Sequence, residues 1–382
     1  MPINNFNFHN STRILFGKNT IPQLSKYLPE DKHYIICYGG GSIKKNGVYD
    51  SLITTLGSRK HEDFHGIEPN PDYETLMKCV NRCKEIGVDK VYLLAVGGGS
   101  IADGVKFIAA ACYYHGEPWD MVLESGAKIT NAVPMSCILT LPATGSESNP
   151  SAVISYRKIN RKQSFKSELV YPQVSVLDPD TMLSLPMRQI QNGVVDAFVH
   201  VCEQYVTELQ DADCQDRYAE GLLKALVKNG ERIMKDQKDY IARSNIMWAA
   251  NQALNTLIAQ GVKEDWATHM IGHEITANLG LDHGQTLAIV QPRLFELKIK
   301  EKKDKLALLG LAVFGIQDSN VEECAKKTII EIENFYTKTM GVKNKISEID
   351  CSQDKAWIDT LCARLEKDGA KWGENQNNTY RS

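Results

Sequence analysis

The stretch "KVYLLAVGGGSIADGVKFIAAACYY", residues 90–114, decides the fold. Its first seven residues are almost wholly apolar, which suits a parallel strand buried on both faces. Three glycines and Ser100 break the run, and from Ile101 apolar residues return at helical spacing. The order strand, glycine loop, helix recurs on either side. "HYIICY" (33–38) leads into a second "GGGS", and "EPNPDYETLMKCVNRCKEIG" (68–87) is a loop entering an amphipathic helix that stops at Gly87. "CILTLPAT" (137–144) and "VSVLDP" (174–179) supply further strands. Repeated units of this kind predict a doubly wound, Rossmann-like α/β domain.

Beyond "TMLSLP" (181–186) strand-like runs become scarce and the helical period dominates, as in "QDRYAEGLLKALVKNGERIMKD" (215–236) and "RSNIMWAANQALNTLIAQ" (243–260). The pattern predicts an α/β domain over 1–185 and an all-α domain over 186–382, with a ligand site in the cleft they share. A length of 382 residues suits two domains.

The net charge of −3 gives no footprint for nucleic acid or an acidic membrane. The Lys-rich "ELKIKEKKDK" (296–305) alternates with acids and reads as a solvated helix face. The amino terminus has no apolar signal core, and the most apolar stretch, 91–112, is broken by Asp103, Lys106 and glycines. A cytoplasmic protein is the expectation. None of the ten cysteines forms CxxC, so they read as buried thiols of a reducing compartment. No repeat is present, and the one low-complexity tract is the polar tail 373–382.

Gly97, Gly98, Gly99 and Ser100 stand between a strand and a helix. Glycines let backbone N–H groups approach an anion, and the helix amino terminus adds partial positive charge, so a pyrophosphate is the natural guest. The loop is not GxGxxG, and Asp103 in the first helical turn also reads as a dipole-complementing acid. The Gly39–Ser42 loop carries Lys44 and Lys45 nearby and no acid for a ribose 2′-OH, which favours NADP over NAD. "LTLPATGSESNPSAVIS" (139–155) offers Thr140, Thr144, Ser146 and Ser148 after a strand, a pattern that ordinary turns share.

"GVVDAFVHVCEQY" (193–205) puts Asp196 and His200 four apart on one face of an apolar helix. "WATHMIGHEITANLG" (266–280) repeats the spacing with His269 and His273, and His283 follows the helix stop at Gly280. Two such helices can converge on one divalent cation, Fe²⁺ or Zn²⁺, through N and O ligands without thiolate. Spacing alone allows any two of the three histidines. "HEITA" is not the zincin HExxH, because Ala277 stands where the second His belongs.

"GGGSIADGVKF", "LPATGSES", "NGVVDAFVHVCEQY" and "DWATHMIGHEITANLGLDHGQTLAIV" together resemble the iron-containing (group III) metal-dependent alcohol dehydrogenases. "YGGGSIKKNGVYD" and "GIEPNPDYETLM" point to the branch of NADPH-dependent butanol dehydrogenases and aldehyde reductases. The resemblance runs from about residue 3 to 376 and implies the dehydroquinate synthase-like frame of an α/β nucleotide domain and a helical metal domain. It implies Asp196, His200, His269 and His283 as metal ligands, with His273 as a non-ligand that assists proton transfer. It carries Gly39, Gly40 and Ser42 to the adenosine end, Gly39 matching a position where NAD-preferring relatives have an acid. Gly97, Gly98, Ser100 and Asp103 match the pyrophosphate loop, Thr140, Thr144, Ser146 and Ser148 the cofactor-facing loop, and Asn70 and Lys162 further contacts. Family members continue with a last helix beyond "GEN", where this sequence ends in "WGENQNNTYRS", so a weaker helical domain or weaker subunit packing is expected, with no metal or cofactor motif lost.

The function so implied is an NADP(H)-dependent aldehyde reductase, transferring hydride between the nicotinamide and an aldehyde or primary alcohol held at the metal. Family members form dimers, so a homodimer is expected, with a small-molecule substrate and no nucleic acid or membrane partner. Two competitors are a metal-dependent lyase of the dehydroquinate synthase type and a catalytically silent NADP-binding protein. "DAFVH" with His269 and His283 argues against the lyase.

Overall fold

The computed structural model describes residues 2–349 and 356–376; Cys351 and the tail residues 377–382 lie outside the described part. Two compact units emerge, His9–Pro186 on one hand and Met187–Ser382 with Met1–Phe8 on the other.

The first unit holds eight strands: β1 (Arg13–Phe16), β2 (His33–Cys37), β3 (His61–Phe64), β4 (Val91–Gly98), β5 (Met135–Leu141), β6 (Ser151–Tyr156), β7 (Arg161–Lys166) and β8 (Val174–Leu177). Its α-helices are α1 (Val48–Leu56), α2 (Tyr73–Ile86), α3 (Gly99–Ala111) and α4 (Pro118–Leu123). Six strands form a parallel sheet in the order β1-β8-β5-β4-β2-β3, and β6 and β7 pair separately as an antiparallel hairpin.

Alternation along the strands builds two cores. Ile35, Leu93, Ala95 and Cys137 join one with residues of α2 and α3, while Tyr34, Ile36, Leu94, Val96 and Ile138 join the other with residues of α1. Covered on both faces, these inner strands are the apolar runs visible in the sequence. The edge strands β1, "RILF", and β3, "HEDF", escape that signal because they carry charges and are half-exposed. Since the strands are parallel, the glycine loops after β2 and β4 and the Thr/Ser loop after β5 all leave from the carboxyl edge of the sheet.

The second unit contains α5 (Met187–Tyr205), α6 (Asp213–Lys235), α7 (Tyr240–Ala253), α8 (Ala267–Leu279), α9 (His283–Leu297), α10 (Ile299–Leu309), α11 (Val321–Asn334) and α12 (Ala356–Lys367). α5 is its axis, buried on every side from Gly193 to Tyr205. α7 stops at Ala253, short of the residue 260 that periodicity predicts. There the Asn255 side chain accepts the Leu257 N–H and Thr256 takes a φ of 77°, so local polar bonding replaces the helix.

Two expectations need correction. Residues 2–8, which the sequence placed with the α/β domain, belong to the helical unit: the Asn4 N–H donates to the Gly261 carbonyl at 2.9 Å, and Pro2 bridges Asp211. The Lys-rich stretch is not wholly solvated either. Lys302 and Lys305 are buried, Lys302 against Asp265 (2.7 Å) and Glu374 (3.0 Å), Lys305 against Asp216 (2.5 Å) and over the Tyr205 ring. Glu374 of the "GEN" segment also accepts the Glu208 N–H at 2.7 Å, which anchors that segment to the unit.

Candidate active site

Inside the helical unit, α5, α8 and the first residue of α9 bring the sequence-identified polar side chains to one place. Asp196 and His200 lie one turn apart on α5, His269 and His273 one turn apart on α8, and His283 opens α9 after Gly280 ends α8 in the left-handed region. Asp196 Oδ1 is 3.5 Å from His200 Nδ1, 3.5 Å from His269 Nε2 and 3.8 Å from His283 Nε2. Ligand bonds of 2.0–2.2 Å in a tetrahedral site put ligand atoms roughly 3.4 Å apart, so this spacing fits one small divalent cation. Asp196, His200 and His269 each offer a ligand atom within 4.8 Å of the other two. The donors are one carboxylate and imidazoles without thiolate, a set that suits iron or zinc.

His273 lies alongside these side chains. Its ring centroid lies 6.3 Å from that of His269 and 5.3 Å from that of His283, and it is buried.

One residue that sequence reasoning missed stands behind the cluster. Glu203, 2% exposed, takes the Nδ1 side of His269 and accepts the Thr268 N–H at 2.6 Å. With Nδ1 committed to this carboxylate, Nε2 of His269 is turned toward Asp196 Oδ1 and becomes a lone-pair donor once a cation displaces its proton. Burial opposes a charge on His269, yet Glu203 and Asp196 outweigh it and lift the imidazole to about 9 in the absence of a cation. The overlooked signal was the spacing of Asp196, His200 and Glu203, a polar stripe down the apolar run that begins at Val194. Trp266, in the left-handed region at φ 60°, packs edge-on to His269 at 5.3 Å and walls the cluster.

In the α/β unit, β4 ends at Gly98 and α3 begins at Gly99, so the glycines sit on the amino terminus of a 13-residue helix. A Cβ at Gly99 would lie 2.4 Å from Thr144 Oγ1, so only glycine lets this loop touch the one after β5. Ser100 Oγ accepts the Asn70 N–H at 3.3 Å, and Lys162 Nζ donates to Asn70 Oδ1 at 2.9 Å. Gly97, Gly98, Ser100, Asn70, Lys162 and Thr144 are thus drawn together. Gly39, Gly40 and Ser42 occupy the neighbouring loop after β2, and Thr140 is buried near the end of β5.

Asp103 and Ser146 look inward. The Ser146 hydroxyl donates to Asp103 at 2.5 Å, and the other Asp103 oxygen accepts the Val153 N–H at 2.9 Å. Lys106, fully buried one turn further along α3, donates to Ser146 Oγ (2.9 Å), Asn149 Oδ1 (3.0 Å) and the Ser151 carbonyl (2.7 Å). Burial pushes the Asp103 carboxyl up and pulls Lys106 down to about 8, each opposing charge offsetting part of the cost. Ser148 is buried in the same short turn. These side chains shape the loop from beneath. A surface hollow of about 540 Å³ at the other, amino-terminal edge of the sheet is lined by Lys32, His33, Arg59 and Arg82, away from all these loops. Its arginines are already paired with Glu30, Glu62 and Glu85.

Two family models match the chain, "Iron-containing alcohol dehydrogenase" over residues 11–179 and the C-terminal model of the Fe-containing alcohol dehydrogenase family over 190–366. Among curated proteins, the chain is 49% identical to the NADPH-dependent aldehyde reductase YqhD of Escherichia coli K12, covering 99% of this chain and 97% of that protein. It is 37% identical to the NADH-dependent butanol dehydrogenase B of Clostridium acetobutylicum, over 92% and 90% of the two chains. The crystal structure of E. coli K-12 YqhD superposes with a TM-score of 0.96 at 48% identity, covering all of this chain and 97% of that one.

Proposed function

The chain belongs to the iron-containing alcohol dehydrogenase family, and on that premise we propose that it is an NADP(H)-dependent, metal-dependent aldehyde reductase. The observation that carries this reading is the convergence of buried His200 and His269 and half-buried His283 on Asp196 Oδ1. A divalent cation bound there supplies Lewis-acid polarisation of a carbonyl or alcohol oxygen, and the nicotinamide supplies or takes the hydride.

The protein's own groups have separate duties. Asp196, His200, His269 and His283 hold the cation, and Glu203 keeps His269 in the tautomer that can do so. His273, beside the cluster and outside it, holds the proton that the product oxygen takes up. Gly97, Gly98 and Ser100 receive the pyrophosphate at the head of α3; Gly39, Gly40 and Ser42 receive the adenosine end, and Asn70, Lys162, Thr140 and Thr144 line the path. Asp103, Ser146 and Ser148 act by shaping the loop rather than by touching the cofactor.

Small aldehydes and primary alcohols are the substrate class, and the reading takes the enzyme to be cytoplasmic and homodimeric. Among the described residues no helix is long and apolar enough to cross a membrane. The test is absorbance at 340 nm with NADPH and butanal, on metal-stripped protein to which Fe²⁺ or Zn²⁺ is returned. Metal-dependent oxidation of NADPH is expected. Silence with either metal would leave only a nucleotide-binding role, and oxidation of NADH alone would overturn the choice of cofactor.

A further inference from the structure

In doubly wound dinucleotide domains, the group that reads the ribose 2′ position stands near the glycine-loop strand, an acid for a 2′-OH or a cation for a 2′-phosphate. β4 carries the glycine loop here and β2 is its hydrogen-bonded neighbour. The chain leaving β2 has no carboxylate on its Gly39–Ser42 loop. A carboxylate nevertheless arrives from the next strand out. Asp63, near the carboxyl end of β3, accepts the Tyr38 hydroxyl at 2.9 Å, the Tyr49 hydroxyl at 2.9 Å and the Lys44 ammonium at 2.8 Å.

With three donors on it, Asp63 is poorly placed to grip a ribose diol. Lys44 is in the opposite situation. It ends the single 3₁₀ turn that begins at Ser42, and its ammonium lies 4.5 Å from the Tyr49 ring centroid and 5.3 Å from that of Tyr38. Asp63 takes one of its three N–H bonds, and its side chain stays 45% exposed, open to an incoming anion. The bond to Asp63, with Tyr38, holds the lysine charged well above its usual range.

We propose that Lys44 selects NADPH over NADH by pairing with the cofactor's 2′-phosphate, and that Asp63, Tyr38 and Tyr49 are positioning residues that hold its ammonium beside the Gly39–Ser42 loop. The proposal rests on the NADP(H) reading above. It also explains how an acid so near the ribose end is compatible with a doubly charged phosphate: Lys44 and the two phenols offset it. Without Lys44, the same carboxylate would face the phosphate unshielded.

Adenosine 2′,5′-bisphosphate and 5′-AMP differ only in the 2′-phosphate, and their binding to the full chain by calorimetry needs neither metal nor turnover. The wild type is expected to prefer the bisphosphate. Lys44→Met should cut that preference about tenfold, the worth of one charge-assisted hydrogen bond, and leave 5′-AMP binding as it was. Asp63→Asn weakens the hold on the ammonium but also removes the adverse charge, so its loss of preference should be smaller than that of Lys44→Met. The same order is expected in the NADPH to NADH ratio of kcat/KM, carried by KM.

An undiminished preference in Lys44→Met would overturn the proposal. So would equal losses in the two variants, which would make the pair a tether between β3 and the loop. A wild type that does not distinguish the probes would remove the NADP reading itself, and the proposal with it.

Discussion

In the helical unit the candidate site consists of long polar side chains, Asp196, His200, Glu203, His269, His273 and His283, carried by α5, α8 and the start of α9. In the α/β unit the corresponding loops consist of residues with almost no side chain, Gly39, Gly40, Gly97, Gly98 and Gly99. The first arrangement suits a point charge, which must be met by fixed donors at bonding distance. The second suits an extended anion, which needs many backbone N–H groups and room to approach. The two should therefore fail differently. A cation site with one donor removed loses its guest, whereas a backbone cradle loses affinity by degrees.

The strongest attempt to break this contrast is a pair of substitutions on α8. His269→Ala takes a donor from the cluster, and purified protein is expected to carry no metal and to lose activity by roughly three orders of magnitude or more. His273→Ala, one helical turn away, is expected to keep full metal content while kcat falls about 10²-fold or more, the usual worth of a positioned proton carrier. Metal analysis of both decides the matter. Loss of metal from His273→Ala would move that residue into the ligand set and make His283 the dispensable one.

Glu203→Gln sharpens the same point at one remove. The amide can still accept the Thr268 N–H but no longer places a full charge on the Nδ1 side of His269. Metal affinity, read by competition with a chelator, should weaken about 10–100-fold with the ligands all present. An unchanged dissociation constant would mean that packing alone orients His269.

The contrast also explains what could be read from the residues alone. β4, the glycine loop and α3 were legible because each is a local pattern: an apolar run, a break, a helical period. The resemblance to the iron-containing family supplied the division of the three histidines, which spacing left open. What stayed hidden depends on partners distant in sequence. Glu203 becomes meaningful only when α8 places His269 against it, 66 residues on. Lys302 and Lys305 look like surface lysines until Asp265, Glu374 and Asp216 surround them. Asp63 sits in an edge strand too polar to announce itself, yet it meets Lys44 across the end of the sheet. Burial of charge is the common cause, since a charged residue goes inside only where another element already holds its counterpart.

Gly99→Ala tests the backbone-built side with the smallest change of covalent structure. The new Cβ would stand 2.4 Å from Thr144 Oγ1, 2.6 Å from its Cγ2 and 3.0 Å from its Cβ. Real Cβ atoms do not approach so closely, so the loop after β5 must move off the head of α3. Thr144 also accepts the Ser146 N–H at 3.2 Å, so a displaced Thr144 drags on the turn that Asp103 and Lys106 hold from below. Overpacking of this kind costs about 1–3 kcal/mol. The expected result is a KM for NADPH raised several-fold, a lower thermal midpoint, and a metal content equal to that of the wild type. An unchanged KM would show that Thr144 rotates away freely and that the loops need not touch. Loss of metal would be the more serious outcome, because no atom of the cation cluster belongs to this unit, and the two sites would then fail as one.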